Sequence, residues 1–168
     1  AQDIDKYFDP KGKQRRIERI YNKGPYLNSM NQKITAMLGE VFSEEFIIFK
    51  DKYNTKPPGG EEYFAHCDGI FIWKDSAGND RQGWHEYAPD FFNVLVALDK
   101  CDAENGTIEI ANKQDFPFAE LLDRTKMNGT PELLEEEENK LTFNMIPLNP
   151  GDGLVFSHNV KPILFNIL

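Results

Sequence analysis

From Glu45 onward the chain is divided into short apolar runs, each closed by turn-forming residues: Phe46–Phe49, Tyr63–His66, Ile70–Trp73, Phe91–Leu98, Thr107–Ala111, Leu141–Ile146, Leu154–Phe156 and Ile163–Leu168. Runs of this kind read as strands, and seven or eight of them in succession predict a β-sandwich or jelly roll. Pro57-Pro58-Gly59-Gly60, Asn105-Gly106 and Asn149-Pro150-Gly151-Asp152-Gly153 lie between runs as turns, Asn-Gly being a strong tight-turn signal. The first third reads as helical. Arg15 to Lys23 carries charge around Ile17 and Ile20, and Leu27, Met30, Ile34 and Met37 follow at three- to four-residue spacing. The expected class is therefore mainly β with flanking α-helices packed against the sheet.

At 168 residues and 40% hydrophobic content, the chain can bury one core, so a single domain over 1–168 is expected. Its parts are a helical portion over about 1–43, a jelly-roll core over about 44–168, and a solvated helical insertion over about 117–140. The acidic run Glu135 to Glu138 within that insertion reads as a soluble face. A formal charge of −9 argues against nucleic acid or an anionic membrane as partner through bulk electrostatics, though a local basic pocket stays open. No segment reaches transmembrane length, and Ala1 to Lys6 is polar without a hydrophobic leader core, so a cytoplasmic location is expected. Cys67 and Cys101 make no disulfide framework and read as reduced thiols. Oligomeric state leaves no trace in the sequence.

His66-Cys67-Asp68 carries the chemistry. An imidazole and a carboxylate two residues apart can hold one metal from a single strand end, and with a second histidine they make the facial triad that leaves three positions open on Fe(II). By itself the tripeptide is weak evidence. The candidate third ligand is His158, just past Leu154–Phe156 and the turn that feeds it. A jelly roll sets distant strands side by side, so the separation in sequence is compatible with a shared ion.

Five segments in order carry a resemblance: Lys52 to Gly60, His66-Cys67-Asp68, Val94 to Asp99, Glu104 to Ile110, and Pro150-Gly151-Asp152. Together they resemble the phytanoyl-CoA dioxygenase branch of the Fe(II)/2-oxoglutarate oxygenases, over roughly residues 46 to 168. The resemblance implies a double-stranded β-helix, iron held by His66, Asp68 and a distal histidine, and 2-oxoglutarate and O2 as co-substrates. It further implies hydroxylation of a C–H bond in a small-molecule substrate, with succinate and CO2 as co-products. Related halogenases have a small residue where this chain has Asp68, so the carboxylate favours hydroxylation, desaturation or ring closure over halogenation. The C-terminal end departs from the family pattern. Ser157-His158-Asn159-Val160-Lys161-Pro162 passes almost directly into Ile163–Leu168, and no Arg follows Arg124. Either Lys161 takes the part of the carboxylate-binding Arg, or a segment carrying the distal histidine and that Arg is missing near 157–162. The second is the preferred reading.

Other residues have a functional and a plain reading side by side. Lys56 aligns with a Lys-Pro-Pro segment of the family and is a candidate for holding the co-substrate carboxylate, or is a surface lysine before a turn. Asn93 interrupts the apolar run Phe91 to Leu98, and its polar side chain needs partners that the co-substrate or solvent would provide. Phe71 and Trp73 alternate along the strand leaving the ligands, as substrate-pocket lining or as core. His85 reads as solvent-exposed or as a substrate contact, and strand alternation turns Cys67 away from the metal. A catalytically inactive jelly roll that binds a ligand or partner is the alternative to an oxygenase.

Overall fold

The computed structural model describes residues 4–59, 64–86, 88, 90–111, 123–126, 131–157 and 163–166. These group into two compact units, one ending at residue 59 and the other starting at 64.

In the first unit, β1 (Asp5–Phe8), β2 (Gln14–Glu18) and β3 (Lys52–Asn54) form an antiparallel sheet in that order. The β1–β2 turn is built by Asp9, whose carboxylate accepts the backbone N–H groups of Lys11 and Lys13 at 2.9 and 2.8 Å, while Gly12 takes φ +76°. This hairpin corrects the helical reading of the segment from Arg15. Ile17 and Ile20 fit a helical spacing, but the Asp-Pro-x-Gly turn folds 14–18 back on 5–8, where the Arg16 guanidinium sits 4.4 Å from the Tyr7 ring. The expected helix after it is present as α1 (Pro25–Phe42). Pro25 opens its first turn, where a missing N–H costs nothing. Ile34 and Leu38 form its buried stripe. Phe46–Phe49, expected as a strand, is irregular, and Phe46 instead packs its ring against Phe42 at 5.9 Å.

The second unit is β-rich. β4 (Ile72–Lys74) and β5 (Asp80–Gln82) form a hairpin; β6 (Asn93–Val96), β9 (Asp152–Phe156) and β10 (Ile163–Asn166) form a sheet in the order β10-β9-β6; β7 (Ile108–Ala111) pairs with β8 (Phe143–Ile146). Leu154 is fully buried where β6 and β9 pair, facing Leu95, and clusters with Ala97 and Leu148. Leu95, Cys101, Ile108, Ile110, Ile146 and Phe156 surround that cluster. The turn into β9 closes on itself: Asn149 N–H donates to Asp152 at 2.8 Å, which together with the Asn166 amide holds the Asp152 carboxyl below the usual carboxylate range. The fold is mainly β, and among the described residues its sheets are small and open.

The helical insertion expected over 117–140 takes a different form where it is described. One short helix, α2 (Glu135–Glu138), is preceded by extended pieces in which Thr125 bridges Leu133 and Glu132 bridges His66. Leucine is itself a good helix former, so the extended form of Leu133-Leu134 is set by pairing with 65–67 and 124–126, and Leu133 is buried.

Candidate metal site

His66 stands on an extended segment stitched on one edge to residues 131–133. Cys67 N–H donates to the Pro131 carbonyl at 3.1 Å and Leu133 N–H to the Ala65 carbonyl at 2.9 Å. The ring itself is oriented by its own chain, since Nδ1 lies 2.8 Å from the Phe64 carbonyl. A carbonyl only accepts, so Nδ1 carries a proton and donates it. In the neutral ring Nε2 is then the lone-pair nitrogen, and it faces Asp68 Oδ1 at 3.4 Å. Both side chains are partly exposed, at 39% and 30%.

Asp68 enters the pair through a turn. Ile70 N–H reaches back to the Cys67 carbonyl at 3.4 Å, and the third residue of that turn, Gly69, has φ +82°, the backbone region that type II turns reserve for glycine. Gly69 is also crossed at close range. A Cβ on it would stand 2.7 Å from Cζ of Phe91 and 3.4 Å from Trp84, and a Cβ on Gly83 would stand 1.7 Å from the Gly69 carbonyl oxygen. Gly83 is further tied on both sides, its N–H donating to the Phe71 carbonyl at 2.6 Å and its carbonyl accepting the Trp73 indole N–H at 2.8 Å. Trp84 lies edge-on between Phe71 and Phe91, at centroid distances of 6.0 and 5.1 Å. The Asp68 carboxylate is thus anchored on a glycine crossing under an aromatic cluster.

The donor set fits a cation. A lone pair on Nε2 and an ionised carboxylate repel when they face each other, unless a proton or a metal ion lies between them. Two groups each about 2.1 Å from one ion are 3.4 Å apart when they subtend roughly 108° at it, near the tetrahedral angle, so the observed spacing is within reach of joint coordination. The hydrogen bond from the far ring nitrogen to a carbonyl is the arrangement that orients metal-binding histidines. Among the described residues, no group of three or more His, Cys, Asp or Glu side chains converges on one point. His158 lies outside the described residues, as does the side chain of His85.

Other expected residues are placed as follows. Asn93 begins β6 opposite Phe156, half-buried, on the strand face that carries Leu95. Phe71 and Trp73 are half-buried, one against Trp84 and the other bonded to Gly83. Lys56 is exposed in the first unit, after β3. Sequence reasoning passed over Gly69, Gly83, Trp84, Phe91 and the 124–134 segment. The Asp68-Gly69 dipeptide was itself a turn signal that would have found the first of these. Nearby, at the β4–β5 hairpin, the Asp75 carboxyl is lowered to about 2 by the backbone N–H and then the side chain of Asn79, with Arg81 and Ala77 adding to the effect.

Beside this His–Asp pair on a mainly β scaffold stands what comparison finds: distant relatives of this chain are dioxygenases and hydroxylases. They include dioxygenase lolE1 of Epichloe uncinata, 24% identical over 128 residues, covering 74% of this chain and 42% of that protein. Methylphosphonate hydroxylase of Gimesia maris is 28% identical over 125 residues, 74% of this chain and 41% of that protein. The 2-aminoethylphosphonate dioxygenase of an uncultured bacterium is 27% identical over 147 residues, 86% and 50% respectively. The chain therefore spans half or less of these relatives' lengths. No family model matches it, and no solved structure does. Among the described residues, no helix is long and apolar enough to cross a membrane.

Proposed function

We propose that this chain carries the iron-binding part of an Fe(II)- and 2-oxoglutarate-dependent dioxygenase that hydroxylates a C–H bond of a small-molecule metabolite, on a double-stranded β-helix of the phytanoyl-CoA dioxygenase type. The observation that carries the reading is the His66–Asp68 pair, an imidazole with its far nitrogen engaged and its near nitrogen turned to a carboxylate oxygen at 3.4 Å. The oxygenase names of the relatives support it independently. Bound between these ligands, Fe(II) with 2-oxoglutarate would supply the O2-dependent oxidant, yielding hydroxylated product, succinate and CO2.

The chain's own residues have defined parts in this reading. His66 holds the ion through Nε2 and keeps its proton on Nδ1, where the Phe64 carbonyl secures it. Asp68 supplies the anionic ligand, and His158 is the expected third. Lys56 and Asn93 are the candidates for holding 2-oxoglutarate, and Phe71 and Trp73 for lining the substrate space. Two relatives are named for phosphonates, so alkylphosphonates head the substrate panel.

The test is succinate formation from 2-oxoglutarate by the full-length protein with Fe(II) and air, across small metabolites that include methylphosphonate and 2-aminoethylphosphonate. Stimulated turnover that disappears in His66→Ala and in Asp68→Ala supports the reading. Undiminished turnover in Asp68→Ala would refute the ligand assignment, and no turnover with no binding of Fe(II) would favour an inactive jelly roll.

A further inference from the structure

The segment beside His66 does more than cover a strand edge. The backbone bonds from Cys67 to Pro131 and from Leu133 to Ala65 set Glu132 directly across from His66. On its other side, Lys126 N–H donates to the Glu132 carbonyl and Leu134 N–H to the Arg124 carbonyl, each at 2.8 Å, so Thr125 opposes Leu133 and Lys126 opposes Glu132. Opposed residues of an antiparallel pair present their side chains on the same face. His66, Glu132 and Lys126 thus form one cross-strand row. Lys126 Nζ makes an ion pair with the Glu132 carboxylate and also lies 5.5 Å from the centroid of the Phe64 ring. Phe64 is the residue whose carbonyl accepts the His66 Nδ1 proton.

We propose that Lys126 and Glu132 are positioning residues for His66, holding Phe64 so that its carbonyl keeps the ring in the Nδ1-protonated form with Nε2 turned to Asp68. The proposal rests on the metal reading above for its use, though not for its geometry. The Lys126 side chain is 41% exposed, and an ion pair of that exposure adds little to folding. Its contribution is directional. The cation lies over a Phe64 ring that is otherwise 72% exposed, the Glu132 carboxylate at 14% exposure anchors the cation, and the strand pairing sets Glu132 opposite His66. The group bonded directly to a metal-binding histidine typically changes metal affinity by about 10- to 100-fold when lost; here that group is the Phe64 carbonyl, which Lys126 and Glu132 back at one and two contacts' remove, so the low end of that range is the ceiling for them.

Two readouts on the metal-free full chain test this: cobalt(II) titration followed by absorption, and long-range 15N–1H NMR of the His66 ring, which reports the tautomer directly. Lys126→Ala is expected to weaken cobalt(II) binding about tenfold and to replace the single Nδ1–H tautomer by an average of both, with the thermal midpoint little changed. Lys126→Arg, which keeps a cation over Phe64 and a partner for Glu132, should restore both. If Lys126→Ala fails to fold, Glu132→Gln, which keeps shape and removes the charge, is expected to show the same tautomer loss. Wild-type affinity and tautomer in Lys126→Ala overturn the proposal, as does an Arg variant no better than Ala. His66→Ala serves as the separate test of the metal reading. Should wild-type protein take up no cobalt(II), that reading fails, and the tautomer measurement alone decides the positioning role.

Discussion

Gly69→Ala is the change by which the construction of the turn that carries Asp68 can be measured. An L-residue at φ +82° costs about 1–2 kcal/mol relative to glycine. The added methyl also meets Phe91 Cζ at 2.7 Å, well inside ordinary carbon contact, and Phe91 is only 6% exposed, so the ring must shift within packed surroundings. Overpacking of that kind costs about 1–3 kcal/mol, for a total of about 2–5 kcal/mol. The chain's two tryptophans, Trp73 and Trp84, both contact the crossing, which makes their fluorescence a local reporter of unfolding in urea. A loss of this size lowers the urea midpoint by on the order of 1–3 M. Because the clash is with one ring, Gly69→Ala combined with Phe91→Leu should be less destabilised than the two singles summed, by about 0.5–3 kcal/mol. Strict additivity, or a Gly69→Ala midpoint equal to wild type, would refute the account of a glycine required under Phe91.

Gly83→Ala is expected to be more severe than Gly69→Ala, because its Cβ would meet a backbone carbonyl at 1.7 Å instead of a ring that can move; tryptophan fluorescence resembling that of the unfolded chain is the predicted result. Leu154→Ala removes a side chain with no exposed surface from the β6–β9 core and should cost about 2–5 kcal/mol in urea unfolding. The Asp75 carboxyl, held near 2 against an ordinary value of 3.8, is expected to titrate by NMR near pH 2. Its folded value lies below its unfolded one, so the stabilisation it gives is present above about pH 3.8 and is lost as pH falls through about 2; a midpoint near 4 would contradict the hydrogen bonds assigned to it.

What was legible in the sequence follows a simple physical line. Strands β4, β6, β7, β8, β9 and β10 each overlap an apolar run closed by turn residues, because each withdraws at least one face partly from solvent, and such burial writes hydrophobicity into the chain. The strands that escaped notice are polar: Asp5–Phe8, Gln14–Glu18, Lys52–Asn54 and Asp80–Gln82 present mostly charged or amide side chains, and pairing is imposed on them by turns and neighbours. In β1 and β2 the one usable local signal was Asp9-Pro10-Lys11-Gly12. The site divides in the same way. His66 and Asp68 are two residues apart and could be read together, whereas Gly83, Trp84, Phe91, Lys126 and Glu132 reach them across the chain, and a single sequence holds no record of which distant residues meet.

His66 and Asp68 are supported from different directions, and that separation has a measurable consequence. His66 is held by Phe64, the 131–133 edge and the Lys126–Glu132 pair, while Asp68 is held by the Gly69 turn, Gly83 and the rings of Trp84 and Phe91. Among the contacts described above, no supporting side chain appears in both sets, although Cys67 joins them along the chain and His66 Nε2 meets Asp68 Oδ1 at 3.4 Å. Independent supports act additively on a shared readout. The loss of cobalt(II) binding free energy in a Lys126→Ala/Gly69→Ala double variant should therefore equal the sum of the single losses to within about 0.5 kcal/mol. If the ligands instead moved as one rigid body, the first substitution would already misplace both and the second would add little. A double variant no weaker than the poorer single would establish that rigid unit and overturn the two-sided construction argued from the hydrogen bonds.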